Sequence, residues 1–149
     1  MSQPALLKGK WIVKLYGPDG ELKDSREGEN VVTTNGKDFL ASFLGSAAAA
    51  AATFTARYIA IGTDATGEAV GNTALGSEAA RHTGTVSYVS SAIYQVTATF
   101  AAGTGTGAIA EYGLLSSSSA GTLLTRDTEA VINKGASDTL TVVHQITIA

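Results

Sequence analysis

Thr139-Leu140-Thr141-Val142-Val143-His144-Gln145-Ile146-Thr147-Ile148 puts Leu140, Val142, His144, Ile146 and Ile148 on one face of an extended chain. Thr139, Thr141, Val143, Gln145 and Thr147 fall on the other. An unbroken two-residue period of this kind describes a strand with one face on a core. The period recurs upstream, where Tyr94, Val96, Ala98 and Phe100 alternate with Gln95, Thr97 and Thr99. Thr85 to Val89 precedes that run through Ser90-Ser91, a connection of the length of a tight hairpin.

Working outward, Trp11-Ile12-Val13-Lys14-Leu15-Tyr16 is β-branched and aromatic, and ends at Gly17-Pro18-Asp19-Gly20, where Pro and Gly supply turn dihedrals. The hairpin returns through Leu22 toward Val31-Val32. Between them, Lys23 to Asn30 carries five charged residues in eight and is expected to be a solvated connection. Phe39, Leu40, Phe43 and Leu44 then lie on one helical face, with Gly45 placed to cap the helix. A helix that short must lay its stripe on a sheet or on a neighbouring subunit. The alanine run 47–52 extends that helix or links it onward.

Tyr58 to Thr63 is continuously apolar and small, as a strand buried on both faces would be. Asp64 to Asn72 is a glycine-rich loop, and Thr73 to Arg81 is expected as loop or a short helical turn with Leu75 plugging the core. Ile109 to Leu115 and Thr122 to Thr125 flank a serine-rich tip at 116–121. Strands every dozen or so residues with Gly and Ser turns point to a mainly β protein, an antiparallel β-sandwich of jelly-roll type with one short α-helix. A single domain, 1–149, is expected, with an extended N-terminal arm at 1–10, a hairpin, helix and alanine tract at 11–52, and the sandwich core at 53–149.

Composition bounds the function. A net charge of −3 supplies no field to hold a polyanion, so nucleic acid is not expected as a partner. No run approaches the ~20 apolar residues of a membrane-spanning helix, and no membrane partner is expected. The chain has no cysteine, which removes disulfides and thiolate chemistry. Charged residues make up 15%, leaving a neutral, hydroxyl-rich surface suited to packing on other protein.

The inventory for catalysis is thin. His82 and His144 stand alone, without a second His or a Cys at metal spacing, so neither metal nor cofactor is expected. Gly103-Thr104-Gly105-Thr106-Gly107 lacks the lysine and the helix of a phosphate cradle and reads as a hairpin tip. Asp64 to Glu68 lacks the spaced acidic ladder of a calcium loop. Glu78 and Glu111 could serve a glycosidase only if held across a cleft. A charge embedded in an apolar run must be paired or sit at an edge. The expectation is therefore two structural ion pairs, Glu78 with Arg81 and Glu111 with Arg126, the latter on adjacent antiparallel strands.

Taken in order, Asn30 to Gly36, the helix, Tyr58 to Thr63, Thr73 to Arg81, Ile109 to Leu114 and Leu123 to Arg126 resemble small virion structural proteins of tailed bacteriophages. Tyr112 and Leu115 depart from that pattern, where a small residue and an aromatic would be expected. The resemblance implies a non-enzymatic virion protein, either a head decoration or cement subunit or a tail, baseplate or fibre-associated component. Its implied partners are the major capsid protein or other virion proteins and further copies of itself, in a virion assembled in the host cytoplasm. Trp11, Tyr16, Phe39 and Phe43 are the candidate interface residues. A glycan-binding module is the other class kept open, and would present Tyr88 or Tyr112 on a common face.

Overall fold

A computed structural model describes residues 7–45, 56–90 and 92–148. The alanine tract and Ser91 lie outside them. Among the described residues nine strands and one helix follow one another: β1 Leu7–Tyr16, β2 Leu22–Val32, α1 Thr34–Gly45, β3 Tyr58–Gly62, β4 Glu78–Thr83, β5 Thr85–Ser90, β6 Ile93–Phe100, β7 Gly107–Leu115, β8 Leu123–Lys134 and β9 Thr139–Ile148. Every pairing is antiparallel, and the order is β4-β3-β7-β8-β2-β1-β9-β6-β5.

The two ends of that order, β4 and β5, are consecutive in the chain, separated by Gly84, whose N–H donates to Arg57 O at 2.6 Å. One polypeptide run therefore serves as both edges, and the antiparallel sheet nearly closes into a barrel. The inward row of β9, Leu140, Val142, His144 and Ile146, is buried, while Ile148 at its end is exposed. It meets Trp11, Val13 and Leu15 of β1, Val96, Ala98 and Phe100 of β6, and Tyr112 and Leu114 of β7 in one core.

Three expectations are corrected. Leu7 to Lys10 are not a free arm but the start of β1, paired with β2 on one side and β9 on the other. Lys23 to Asn30 are strand, not a connection: Asp24, Arg26, Gly28 and Asn30 of β2 are half-buried, and Lys23, Ser25, Glu27 and Glu29 are exposed. The period of two was hidden because both faces carry charge. The last residues of the expected 73–81 loop form β4, so Glu78 and Arg81 lie on a strand.

Helix α1 starts where the Thr33 hydroxyl accepts the Gly36 N–H at 2.9 Å, a side-chain N-cap. The same hydroxyl donates to Leu123 O at 2.5 Å, fixing the helix onto the start of β8. A Cβ at Gly36 would collide with the Leu124 backbone, so only glycine lets the first turn come that close.

Candidate functional site

β7 is buried on both faces over its last seven residues. Tyr112 and Leu114 enter the core, and Glu111, Gly113 and Leu115 face the other way, under the 63–77 segment that joins β3 to β4. Leu75 descends from that segment onto Ala60, Leu115 and Leu123. A Cβ at Gly113 would sit 2.8 Å from the Leu75 side chain, so the glycine is the socket for the plug.

Glu111 and Arg126 lie under the same cover. In the β7–β8 register Glu111 faces Thr128 and Gly113 faces Arg126, which makes the acid and the base diagonal neighbours. The Glu111 side chain is 0% exposed and that of Arg126 3%. Arg126 Nε donates to Glu111 Oε2 at 3.0 Å, and Nη2 lies 2.9 Å from the same oxygen as an ion-pair contact. Gly76 N–H also donates to Oε2, at 2.9 Å, while Oε1 accepts from Ser77 N–H at 2.7 Å and Asp64 N–H at 3.4 Å.

Arg126 reaches the segment from beneath. Nη1 donates to Asn72 Oδ1 at 3.2 Å and Gly67 O at 3.4 Å, and Nη2 stands 3.6 Å from Asp64 Oδ2. Thr66, through its backbone and side chain, and then Arg126 hold the Asp64 carboxyl below the usual range. Glu68 accepts from the Thr128 hydroxyl. The acids of the Asp64 to Glu68 stretch thus engage Arg126 and Thr128. Desolvating a carboxylate is tolerable when donors saturate it, and Glu111 has them from two N–H groups within 2.9 Å and a guanidinium. The arrangement fastens a loop, and it leaves the carboxylate no free oxygen to offer a substrate.

Glu78 and Arg81 are also together, with Arg81 Nε and Nη2 donating to the two Glu78 oxygens at 2.9 and 2.7 Å. Arg81 Nη1 continues to Ser117 O and Ala120 O, so this pair holds down the β7–β8 hairpin tip. Glu78 and Glu111 serve separate clasps rather than a shared cleft.

Of the interface candidates, Trp11 is wholly enclosed and is corrected to a core residue: it stacks on His144 with ring centroids 4.1 Å apart. Tyr16 is half-buried opposite Thr139, and Phe39 is half-buried against the core. Nothing is described of the Phe43 and Tyr88 side chains. Tyr112, offered as a glycan platform, is buried beside Trp11. His82 rests edge-on against Phe100.

His144 has Nδ1 3.3 Å from Lys10 O, which can only accept, so Nδ1 carries the proton and Nε2 accepts from Thr125 Oγ1 at 3.2 Å. Burial pushes this imidazole down to about 3, and the ring is neutral in the fold.

Three features leave no local signal in the sequence. Lys134 is buried and donates to Ala101 O at 3.0 Å, tying β8 to the β6–β7 turn. An apolar mouth of about 430 Å³ opens at one end of the barrel beside α1, between Leu7, Phe39, Tyr94, Ile146 and Ile148. The third is Asp127, a buried acid with Glu129 two residues further along β8. Burial first, and then Glu129, push Asp127 up to about 8. Only knowing that β8 runs on to Lys134 and turns both acids toward β2 would have exposed the pair.

Comparison of the chain with protein-family models, with curated proteins and with solved structures gives no match.

Proposed function

We propose that the chain is a non-enzymatic structural protein of a tailed-phage virion, a decoration or cement subunit that binds the head shell through protein–protein contacts. The observation that carries the non-enzymatic part is the enclosure of Glu111 and Arg126 beneath the 63–77 segment, both carboxylate oxygens taken by donors. The virion part rests on the resemblance of the ordered segments from Asn30 onward.

Exposed apolar side chains support a role in contact: Val86 and Val89 on β5, Ile148 at the end of β9 and Leu44 on α1 are each more than 45% exposed. On a symmetric shell, weak contacts of this size repeated many times hold effectively permanently. The finer fold in this proposal is sandwich-like, with two five-stranded walls sharing β2 and the continuous β4–β5 run, as a flattened barrel would have.

The test is addition of the purified protein to phage shells that lack it. Saturable binding with a raised shell-disruption temperature supports the reading, and its absence together with a strictly monomeric protein overturns it. A tail or baseplate position is the second reading, because the resemblance covers both; locating the subunit in images of the virion separates them.

A further inference from the structure

The inner rows of four strands outrun the core at one end of the barrel. On β1, β6 and β9 the rows that bury Trp11, Val96 and His144 carry on to Leu7, Tyr94 and Ile148, and on β5 Val86 faces inward opposite Val96. At the opposite end the rows of β1, β6 and β9 finish at Leu15, Phe100 and Leu140, none more than 3% exposed. At the first end Val86 is 46% and Ile148 58% exposed, and Leu7 and Tyr94 are half-buried. Core-facing aliphatic residues are ordinarily covered. Among the described residues the barrel is therefore closed at one end and open at the other.

The opening is the mouth of about 430 Å³ beside α1, with Phe39 on its helix side. Pockets that hold one small ligand run from roughly 300 to 1,000 Å³, and barrel mouths are a common place for them. Polar features are few here. The Tyr94 hydroxyl is spent on Ala56 O, to which it donates. Arg57 is exposed at the rim and is the one charged residue of the lining among the described residues. It forms no ion pair with any of their acids.

An apolar hollow with one unpaired cation at its rim matches a hydrocarbon tail with an anionic head. Two copies meeting mouth to mouth would set their Arg57 guanidiniums against each other. A single basic residue gives little hold on an anionic bilayer. Charge and volume together fit a free single-chain acid.

We propose that the open end of the barrel binds one medium-chain fatty acid, its tail in the mouth against Leu7, Val86, Tyr94 and Ile148 and its carboxylate beside Arg57. The tail supplies most of the affinity by leaving water, and the arginine favours the acid over an uncharged head. The site lies apart from Glu111 and Arg126 and does not depend on a place in the virion.

Calorimetric titration of the full chain with octanoate, decanoate and decanol, each kept below the concentration at which it aggregates, tests the site. One decanoate per chain should bind, roughly 15-fold tighter than octanoate because two further methylenes leave water. Decanol should bind about two- to fivefold more weakly than decanoate, as an exposed ion pair is worth little. Arg57→Gln should bring decanoate down to the level of decanol and leave decanol unchanged. Val86→Trp, which fills the mouth, should abolish both. Equal affinity for octanoate and decanoate, several acids per chain, undiminished preference for the acid in Arg57→Gln, or undiminished uptake in a folded Val86→Trp would each overturn the site. No uptake by a chain that sediments as a dimer assigns the mouth to a second copy, and no uptake by a monomer assigns it to the chain's own residues 1–6 or 46–55; either result also overturns it. If Val86→Trp fails to fold, the chain-length ratio and Arg57→Gln decide.

Discussion

Two buried carboxylates on adjacent strands meet opposite fates. Glu111, on the outward face of β7, is met by a guanidinium and by the N–H groups of Gly76 and Ser77. Asp127, on the inward face of β8, has Glu129 as a like-charged neighbour and the Thr128 backbone N–H as a donor, while its Oδ2 finds no partner among the described residues. Depth is the same for both, at 0% and 1% exposure. The cost of a buried acid is thus set by the donors that replace its water and not by burial itself. Where donors converge, the acid becomes a fastener; where they are few, burial favours the protonated form.

The sharpest way to break the contrast is to make Glu111 resemble Asp127. Arg126→Ala removes the charge partner and should cost about 3 kcal/mol, because an uncompensated carboxylate is left in the interior. A denaturant melt with an unmoved midpoint would show that the backbone donors suffice alone. Next in size, Leu75→Ala keeps every polar contact of the segment and empties its socket over Gly113, at a cost of about 2–3 kcal/mol. A loss well below 1 kcal/mol in the same melts would put the segment's stability in its polar clasp.

The pH profile of stability separates the two acids in a different way. Asp127 has its folded value raised from 3.8 to about 8, so its contribution is full below the unfolded value and is lost as pH rises toward the folded one. His144 runs oppositely, lowered from 6.5 to about 3, so its contribution is present above 6.5 and is lost as pH falls toward 3. Between about 4 and 6.5 the two slopes oppose one another. The net decline of wild-type stability is therefore expected between about pH 6.5 and 8, and Asp127→Asn should flatten it in melts taken across that range. A profile that keeps its slope in the variant assigns the proton elsewhere.

The smallest effect is expected at Lys10 and Glu27, an ion pair with both side chains well exposed. Lys10→Ala should change stability by less than ~0.5 kcal/mol. A larger loss, measured at low and at high salt, would show that the β1–β2 pairing relies on surface charge.

Much of this was legible from residue patterns, and the limits have physical causes. The alternation in Thr139 to Ile148 placed its buried row correctly from Leu140 to Ile146, because a two-residue period needs only near neighbours and one core face. The same rule failed on Lys23 to Asn30, where both rows are polar, since the inner row lies at a seam that is not apolar. Glu111 and Arg126 stood out as charges in apolar company, but their loop partners did not. Asp64, Gly76 and Ser77 are 34 to 47 residues away from Glu111, and nothing local announces that approach.

Residue pattern by itself determined that the chain is mainly antiparallel β with one short helix, that its core is aliphatic and aromatic, and that two charges in apolar runs needed partners. Tertiary structure alone decided that β1 and β9 pair, that the sheet curls until β4 and β5 nearly close it, and that Glu111 has donors on both oxygens while Asp127 Oδ2 has none among the described residues. Strand periodicity is a property of consecutive residues. Strand order and the donors that reach Glu111 are set by contacts distant in sequence, whose register no short stretch encodes.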